Sequence, residues 1–222
     1  MVKYKNLTLL GSSHIAKESI TKVKDSIQKI RPEIIALELD RPRLNALLSK
    51  NKKKTLSYKS LGLKGFLLNL IGAYIEKSLS KHTGISPGTE MKTAIKIAKK
   101  HNIRIALIDQ PINITIKKLL TNLTRREKWR IVKDFFLSFF IRSKRFQFDL
   151  NKVPSEKLIE KLMKETKKNY PNVYNVLVTE RDSFMSKALY KLITTFPEKQ
   201  ILAIVGAGHI KGVLGELKSM TK

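Results

Sequence analysis

The sequence predicts an α/β fold, a central and mostly parallel sheet of at least four strands flanked by helices, with a helical insertion in the middle of the chain. Three observations carry this. Residues 201–205, Ile-Leu-Ala-Ile-Val, are too short and too rich in branched side chains for a helix, and read as a strand buried on both faces. Gly206-Ala207-Gly208 then gives a turn without bulky side chains, His209 follows, and helical spacing resumes at Ile210, Val213, Leu214 and Leu217. The same order occurs near the other end: an apolar run at 7–10, then Gly11-Ser12-Ser13-His14, then a helical pattern. Two of the four histidines thus stand in equivalent places. Ligands of open α/β sheets bind outside the carboxyl ends of the strands, so two such strands side by side would aim both imidazoles into one crevice. The alternative is that each histidine only caps a turn.

Sheet segments are expected at about 5–50, 88–112 and 198–220, with helical insertions at about 51–86 and 113–195, all in a single domain. A strand at 6–10 leads into a helix at 17–30, with Ile20, Val23, Ile27 and Ile30 at helical spacing. Arg31-Pro32 ends it, because proline disfavours the helical conformation in the residue before it. A second apolar run, 34–39, carries Glu38, and a short helix follows at 41–48. A strand, a helix and a second strand in this order predict parallel strands. Residues 61–81 read as an unusually apolar helix, suited to core packing, a dimer face or a membrane surface. A regular amphipathic helix starts at Thr89-Glu90, and the third strand, 103–108, ends at Asp109. Residues 112–142 look helical and hold an aromatic cluster at Trp129, Phe135, Phe136, Phe139 and Phe140. Two more helices are predicted, at 155–168 and 172–195.

The chain has 222 residues, 42% of them hydrophobic, enough for a sizeable core. It has no cysteine, which excludes disulfides, thiolate metal sites and a cysteine nucleophile. No leader pattern opens the sequence. The longest uncharged apolar stretches, 65–75 and 200–210, fall short of the roughly 18–20 residues that span a bilayer. A soluble chain without a transmembrane segment is expected, cytoplasmic or peripheral to a membrane. Net charge is +27, from 45 basic and 18 acidic residues, so weak binding to anionic surfaces is a further expectation. The lysines are spread along most helices and loops, which equally suits a solvated basic surface.

The expected carboxyl ends of the strands carry His14, Glu38, Asp109 and His209, each following an apolar run. A buried carboxylate is costly unless it is paired, protonated or bound to metal. Two histidines and a carboxylate suit a divalent transition metal, which lowers the pKa of a bound water. The same groups could also work without metal, one histidine as base and the other holding an oxyanion. Thr179-Glu180-Arg181-Asp182 reads either as a solvated helical turn or as an arginine reaching the crevice. The sequence lacks a His-Glu-x-x-His motif, a Gly-x-Ser-x-Gly elbow and a Walker loop.

Gly-Ser-Ser-His at 11–14, Ala-Leu-Glu-Leu-Asp at 36–40, Pro-Gly-Thr-Glu-Met at 87–91, Ile-Asp-Gln-Pro-Ile at 108–112, Thr-Glu-Arg-Asp at 179–182 and Val-Gly-Ala-Gly-His at 205–209 resemble, in order, the motifs of the TraB family. That family is related to the pheromone-shutdown protein PrgY and the Tiki metalloproteases, and is distantly similar in fold to erythromycin esterase-like and ChaN-like proteins. The resemblance implies a divalent-metal-dependent hydrolase, with Mn, Co or Zn, acting on peptide amides. It implies His14, Glu38 and His209 as metal ligands and Glu38 or Glu90 as the proton acceptor. Arg181 would stabilise an oxyanion or bind a carboxylate. Asp109, Asp182, Ser13, Gly206 and Gly208 fall at further motif positions and are expected to line the substrate site. Gln110 stands where the family pattern has arginine, which weakens substrate anchoring there. Many archaeal-type relatives continue into a C-terminal membrane region, whereas this sequence stops after one helix. Alternative expectations are a non-catalytic peptide-binding or regulatory protein using the same crevice, and a metal-free esterase-like hydrolase. The apolar helix at 61–81 and the aromatics near Phe139 suggest a homodimer.

Overall fold

The computed structural model describes residues 1–13, 17–49, 88–140 and 155–220, and among these five strands join in one sheet. They are β1 (Val2–Tyr4), β2 (Leu7–Ser12), β3 (Ile34–Leu37), β4 (Arg104–Leu107) and β5 (Ile201–Gly206), in the order β1-β2-β5-β3-β4. The pairs β2–β5, β5–β3 and β3–β4 are parallel, and only the edge strand β1 is antiparallel. The two Gly-x-x-His strands are therefore neighbours, with Gly11 opposite Val205 and Ser12 opposite Gly206. The helix expected at 61–81, His82 and His14 lie outside the described residues.

Alternation along β5 sets the layers. Ile201, Ala203 and Val205 face one core, with Met185, Leu189, Ile193, Val213 and Leu217. Leu202 and Ile204 face the other, with Val23, Ile27, Met91, Ala94 and Ile95. Every β5 residue is buried, the reason its sequence is continuously apolar rather than alternating. Each fully buried Leu or Ile here contributes about 1.5–3 kcal/mol relative to exposure. The second core lies under α1 (Lys17–Ile30) and α3 (Thr89–Lys100), whose inward residues are those the helical spacing predicts. The first lies under α8 (Glu180–Thr195) and α9 (Ile210–Met220). The last part of the 113–195 stretch thus packs on the sheet itself.

Several boundaries differ from the sequence reading. The hairpin strand β1 was not anticipated. Lys5 turns the chain at φ 52°, and Asn6 donates from Nδ2 to the carbonyls of Phe196 and Lys199, both at 2.8 Å, tying the hairpin to the loop before β5. The second strand ends at Leu37, because the Leu39 amide donates to the Leu37 carbonyl and Asp40 then caps α2 (Arg41–Leu48). The single helix expected over 112–142 is two, α4 (Ile112–Asn122) and α5 (Arg125–Phe140). Thr124 and Glu127 cause the break by a capping box, in which Thr124 N–H donates to Glu127 Oε2 at 3.1 Å and Glu127 N–H to Thr124 Oγ1 at 3.2 Å. After α6 (Glu156–Asn169), the helix expected at 172–195 is composite: α7 (Pro171–Tyr174), a π-helical turn (Asn175–Thr179) and α8. No helix among the described residues is long and apolar enough to cross a membrane.

Glu127 also accepts from the Asn172 amide and from Asn172 Nδ2, both at 2.8 Å, so one carboxylate serves the first turns of α5 and α7. Burial alone would raise this carboxyl, but hydrogen bonds from Asn172 and Thr124 outweigh it and lower its pKa from 4.5 to about 2. A depressed folded pKa means its stabilisation is complete above 4.5 and is lost as pH falls toward 2. Glu127→Gln should lower the urea-unfolding midpoint at neutral pH and flatten its decline across that interval. An unchanged acid slope would show that the carboxylate contributes nothing.

Candidate functional site

At the carboxyl edge of the sheet the backbone leaves the ladder where the polar residues begin. The Glu38 amide still donates to the Ile204 carbonyl at 3.1 Å, and the Asp109 amide to the Leu39 carbonyl at 3.3 Å. Glu38 and Asp109 therefore enter from adjacent strand ends. Arg181 enters from the first turn of α8, directly after the π turn, whose Leu177 carbonyl accepts from Arg181 Nη1 at 3.2 Å. His209 ends a 3₁₀ turn (Ala207–His209) that follows β5.

Arg181 is the centre of the cluster. Its Nε donates to Asp109 Oδ1 at 3.0 Å and its Nη2 to Asp109 Oδ2 at 2.6 Å, a two-pronged pairing, and Nη2 also contacts Glu38 Oε1. Its Nη1 lies 3.2 Å from His209 Nε2. His209 Nδ1 lies 2.6 Å from Asp182 Oδ1, and Nε2 is 3.5 Å from Glu38 Oε1. With a carboxylate at Nδ1 and a guanidinium at Nε2, the partners favour the ring with its proton on Nδ1 and a lone pair on Nε2. The other Glu38 oxygen, Oε2, accepts from the Gly206 amide. Glu38, Asp109, Asp182 and His209 are all buried.

The electrostatics follow from this packing. Burial pushes the Asp109 carboxyl up, but Arg181 and Arg43 outweigh burial and hold it below its ordinary value. Burial pushes Arg181 down, and Asp109 and Glu38 more than reverse that. For Asp182 burial prevails over His209 and Arg181, so its carboxyl is raised.

The structure thus brings together Glu38, Asp109, Arg181, Asp182, His209 and the Gly206 amide. Gly208 lines a groove of about 770 Å³ between α6 and the β1–β2 end of the sheet. Met163 of α6 covers Gly208 there, and Asp182 reaches the same groove. Ser13 stands at the turn into α1, its amide donating to Ser19 Oγ at 2.8 Å. Glu90 is buried in the first turn of α3, at the carboxyl edge but in the α1–α3 layer. Gln110 is buried, its Nε2 donating to Thr115 Oγ1 at 2.9 Å. Among the described residues no three His, Asp or Glu side chains form a group able to hold a metal ion.

Two residues of the cluster were missed from sequence. Arg43 pairs with Asp109 Oδ2 at 2.7 Å and, through Nε, with Asp40 Oδ1 at 2.9 Å. The signal was available in Asp40-Arg41-Pro42-Arg43, where an N-cap aspartate precedes an arginine by three. The other is Gly212, where a Cβ would overlap the Asp182 carboxylate. A glycine inside a helix gives no such signal before the opposing helix is placed.

Arg181→Met leaves Glu38 and Asp109 buried without that cation and should cost about 3–5 kcal/mol of stability at neutral pH. The depressed Asp109 pKa gives the sign with pH: the stabilisation is present above the ordinary value of 3.8 and lost as pH falls through the folded value. The mutant deficit in denaturant unfolding should narrow in acid; a deficit independent of pH would contradict the pairing. Gly212→Ala should cost about 1–3 kcal/mol by displacing Asp182, read in the same unfolding experiment.

The TraB/PrgY/gumN family model matches residues 2–222. An uncharacterised protein of Methanocaldococcus jannaschii is 36% identical over 221 residues, covering 97% of this chain and 54% of that protein. TraB domain-containing proteins of Homo sapiens and Mus musculus are 24% and 23% identical over 92% of this chain and 61% of their own length. The chain therefore spans between half and two thirds of these relatives. Matched over nearly all its residues, the chain belongs to the TraB/PrgY/gumN family.

Proposed function

We propose that the chain is a hydrolase whose working groups are Glu38, Arg181, Asp182 and His209, that it acts on peptide amides, and that it uses a divalent metal. The observation that carries this reading is the line from Asp182 through His209 to Glu38. Asp182 holds Nδ1 of the ring at 2.6 Å, and Nε2 faces Glu38 Oε1 at 3.5 Å. A carboxylate behind a histidine is the usual support of a metal-ligating imidazole. His209 Nε2 and Glu38 Oε1, 3.5 Å apart, are a nitrogen and an oxygen donor of the kind a divalent metal takes, and both are contacted here by Arg181. His209 and Glu38 would hold the metal, with His14, which lies outside the described residues, as the third ligand.

A divalent ion in such a site supplies Lewis acidity and a water that ionises near neutrality. The chain's own residues supply the rest. Asp182 fixes the orientation of the His209 ring. Glu38, aligned by the Gly206 amide, is the carboxylate that faces His209 Nε2 and would accept the proton, with Glu90, buried in the first turn of α3, as the second candidate. Arg181 puts a fixed positive charge beside Glu38 and His209, suited to an oxyanion or a substrate carboxylate. The groove beside Gly208 is lined by Asp182 but by none of Glu38, Arg181 and His209, so a substrate held there would meet the cluster through Asp182.

A metal-free hydrolase or a ligand-binding protein is the second reading. It is favoured by Arg181, which already occupies acceptors on Glu38 and His209. The deciding experiment is metal content after stripping and reloading with Mn, Co or Zn, beside cleavage of a peptide library. The wild type should bind about one equivalent, and His209→Ala and His14→Ala should lose it together with cleavage. Asp182→Asn should weaken metal binding by roughly 10–100-fold. Metal content and cleavage unaltered in both histidine variants would overturn the metal mechanism. Tight peptide binding without product would establish the ligand-binding reading.

A further inference from the structure

Helix α5 has two unlike sides. Glu127, Arg130 and Asp134 follow each other at helical spacing and are all bonded to the α6–α7 junction. Glu127 accepts from Asn172, Arg130 Nη1 donates to the Asn169 carbonyl at 2.8 Å, and Tyr170 donates its hydroxyl to Asp134. These bonds employ both acidic residues of α5 and tie that stripe to the α6–α7 junction, with Glu127 buried. Trp129 and Val132 lie on the opposite stripe, 76% and 45% exposed. Arg125, Arg126, Lys128 and Lys133 are exposed on the same helix. Among the described residues no packing accounts for the exposure of Trp129, and the bonds to the α6–α7 junction anchor the other side of the helix.

We propose that this face of α5 docks on a membrane surface rich in acidic lipid, the helix lying in the plane of the headgroups. The chemistry matches on both counts. Trp129 and Val132 are an apolar stripe suited to the boundary between headgroups and acyl chains, where tryptophan is favoured. Four exposed cations surround it, and the net charge of +27 adds long-range attraction to an anionic leaflet. Among the described side chains the exposed apolar stripe is short, so the proposal makes attachment depend on lipid charge and expects none on neutral bilayers.

The chain contains one tryptophan, Trp129, so its intrinsic fluorescence reports on this face alone. The 222-residue chain is titrated with vesicles of phosphatidylcholine containing phosphatidylglycerol, and with vesicles of phosphatidylcholine only. The proposal expects a blue shift and protection from acrylamide quenching with the acidic vesicles and neither with the neutral ones. In co-sedimentation, Trp129→Ala and Lys128→Glu/Lys133→Glu should each lower binding several-fold, with far-UV circular dichroism unchanged. Binding without any spectral shift, and undiminished in Trp129→Ala, would overturn it in favour of nonspecific adhesion of a basic chain. A blue shift that grows with protein concentration in the absence of lipid would overturn it in favour of a second copy on this face. Absence of binding to either vesicle would also overturn it.

Discussion

The pairing of Arg181 with two buried carboxylates is the interaction on which this end of the molecule depends. Glu38 and Asp109 come from adjacent strand ends and would repel one another if both were ionised without a cation between them. One guanidinium contacts both, and its remaining nitrogen reaches His209. The π turn before α8 supplies a carbonyl to the same group. Arg43 also pairs with Asp109, and Asp40 holds Arg43 in turn. Strand ends, helix starts and the 3₁₀ turn are thus bound to each other through charge, and the apolar layers beneath position them without specifying their polar contacts.

The same geometry explains why Asp182 differs from Asp109. Asp109 has two arginines, and its carboxylate is favoured. Asp182 faces one imidazole and lies against α9 at a point where only glycine leaves room. Its charge is offset less and burial prevails. Two carboxylates about one cluster therefore have opposed proton affinities, a division that suits one to anchoring and the other to orienting a histidine.

Much of this was legible in the sequence. The doubled strand, Gly-x-x-His and helix pattern correctly pointed to two parallel strands, and β2 and β5 are neighbours. Glu38 between two leucines announced a buried carboxylate. The inward faces of α1 and α3 followed directly from helical spacing. The less legible parts are those that depend on partners distant in sequence. Arg181 reads either as part of a solvated turn or as reaching the crevice until Asp109, 72 positions away, is set beside it. The break between α4 and α5 was present as Thr124-x-x-Glu127 but was masked by the apolar periodicity on either side. The π turn at Asn175–Thr179 is a matter of backbone hydrogen bonding, which apolar spacing did not reveal. His14, the other half of the histidine pair, lies outside the described residues.

The position of β5 has a further consequence, for the order in which the chain acquires structure. This strand stands between β2 and β3, yet nearly all of the described chain precedes it. A ribosome that has not yet released residues 201–206 has made two separate strand pairs, β1–β2 and β3–β4, with an unfilled slot between them and apolar edges on both sides. The contacts that close the sheet join residues about 160 to 200 positions apart, so loop closure precedes any reward from pairing, and folding is expected to be slow for a chain of this size. Until residues 201–206 have been made, the exposed edges of β2 and β3 are templates for other strands, and the fold is vulnerable to misassembly over that interval.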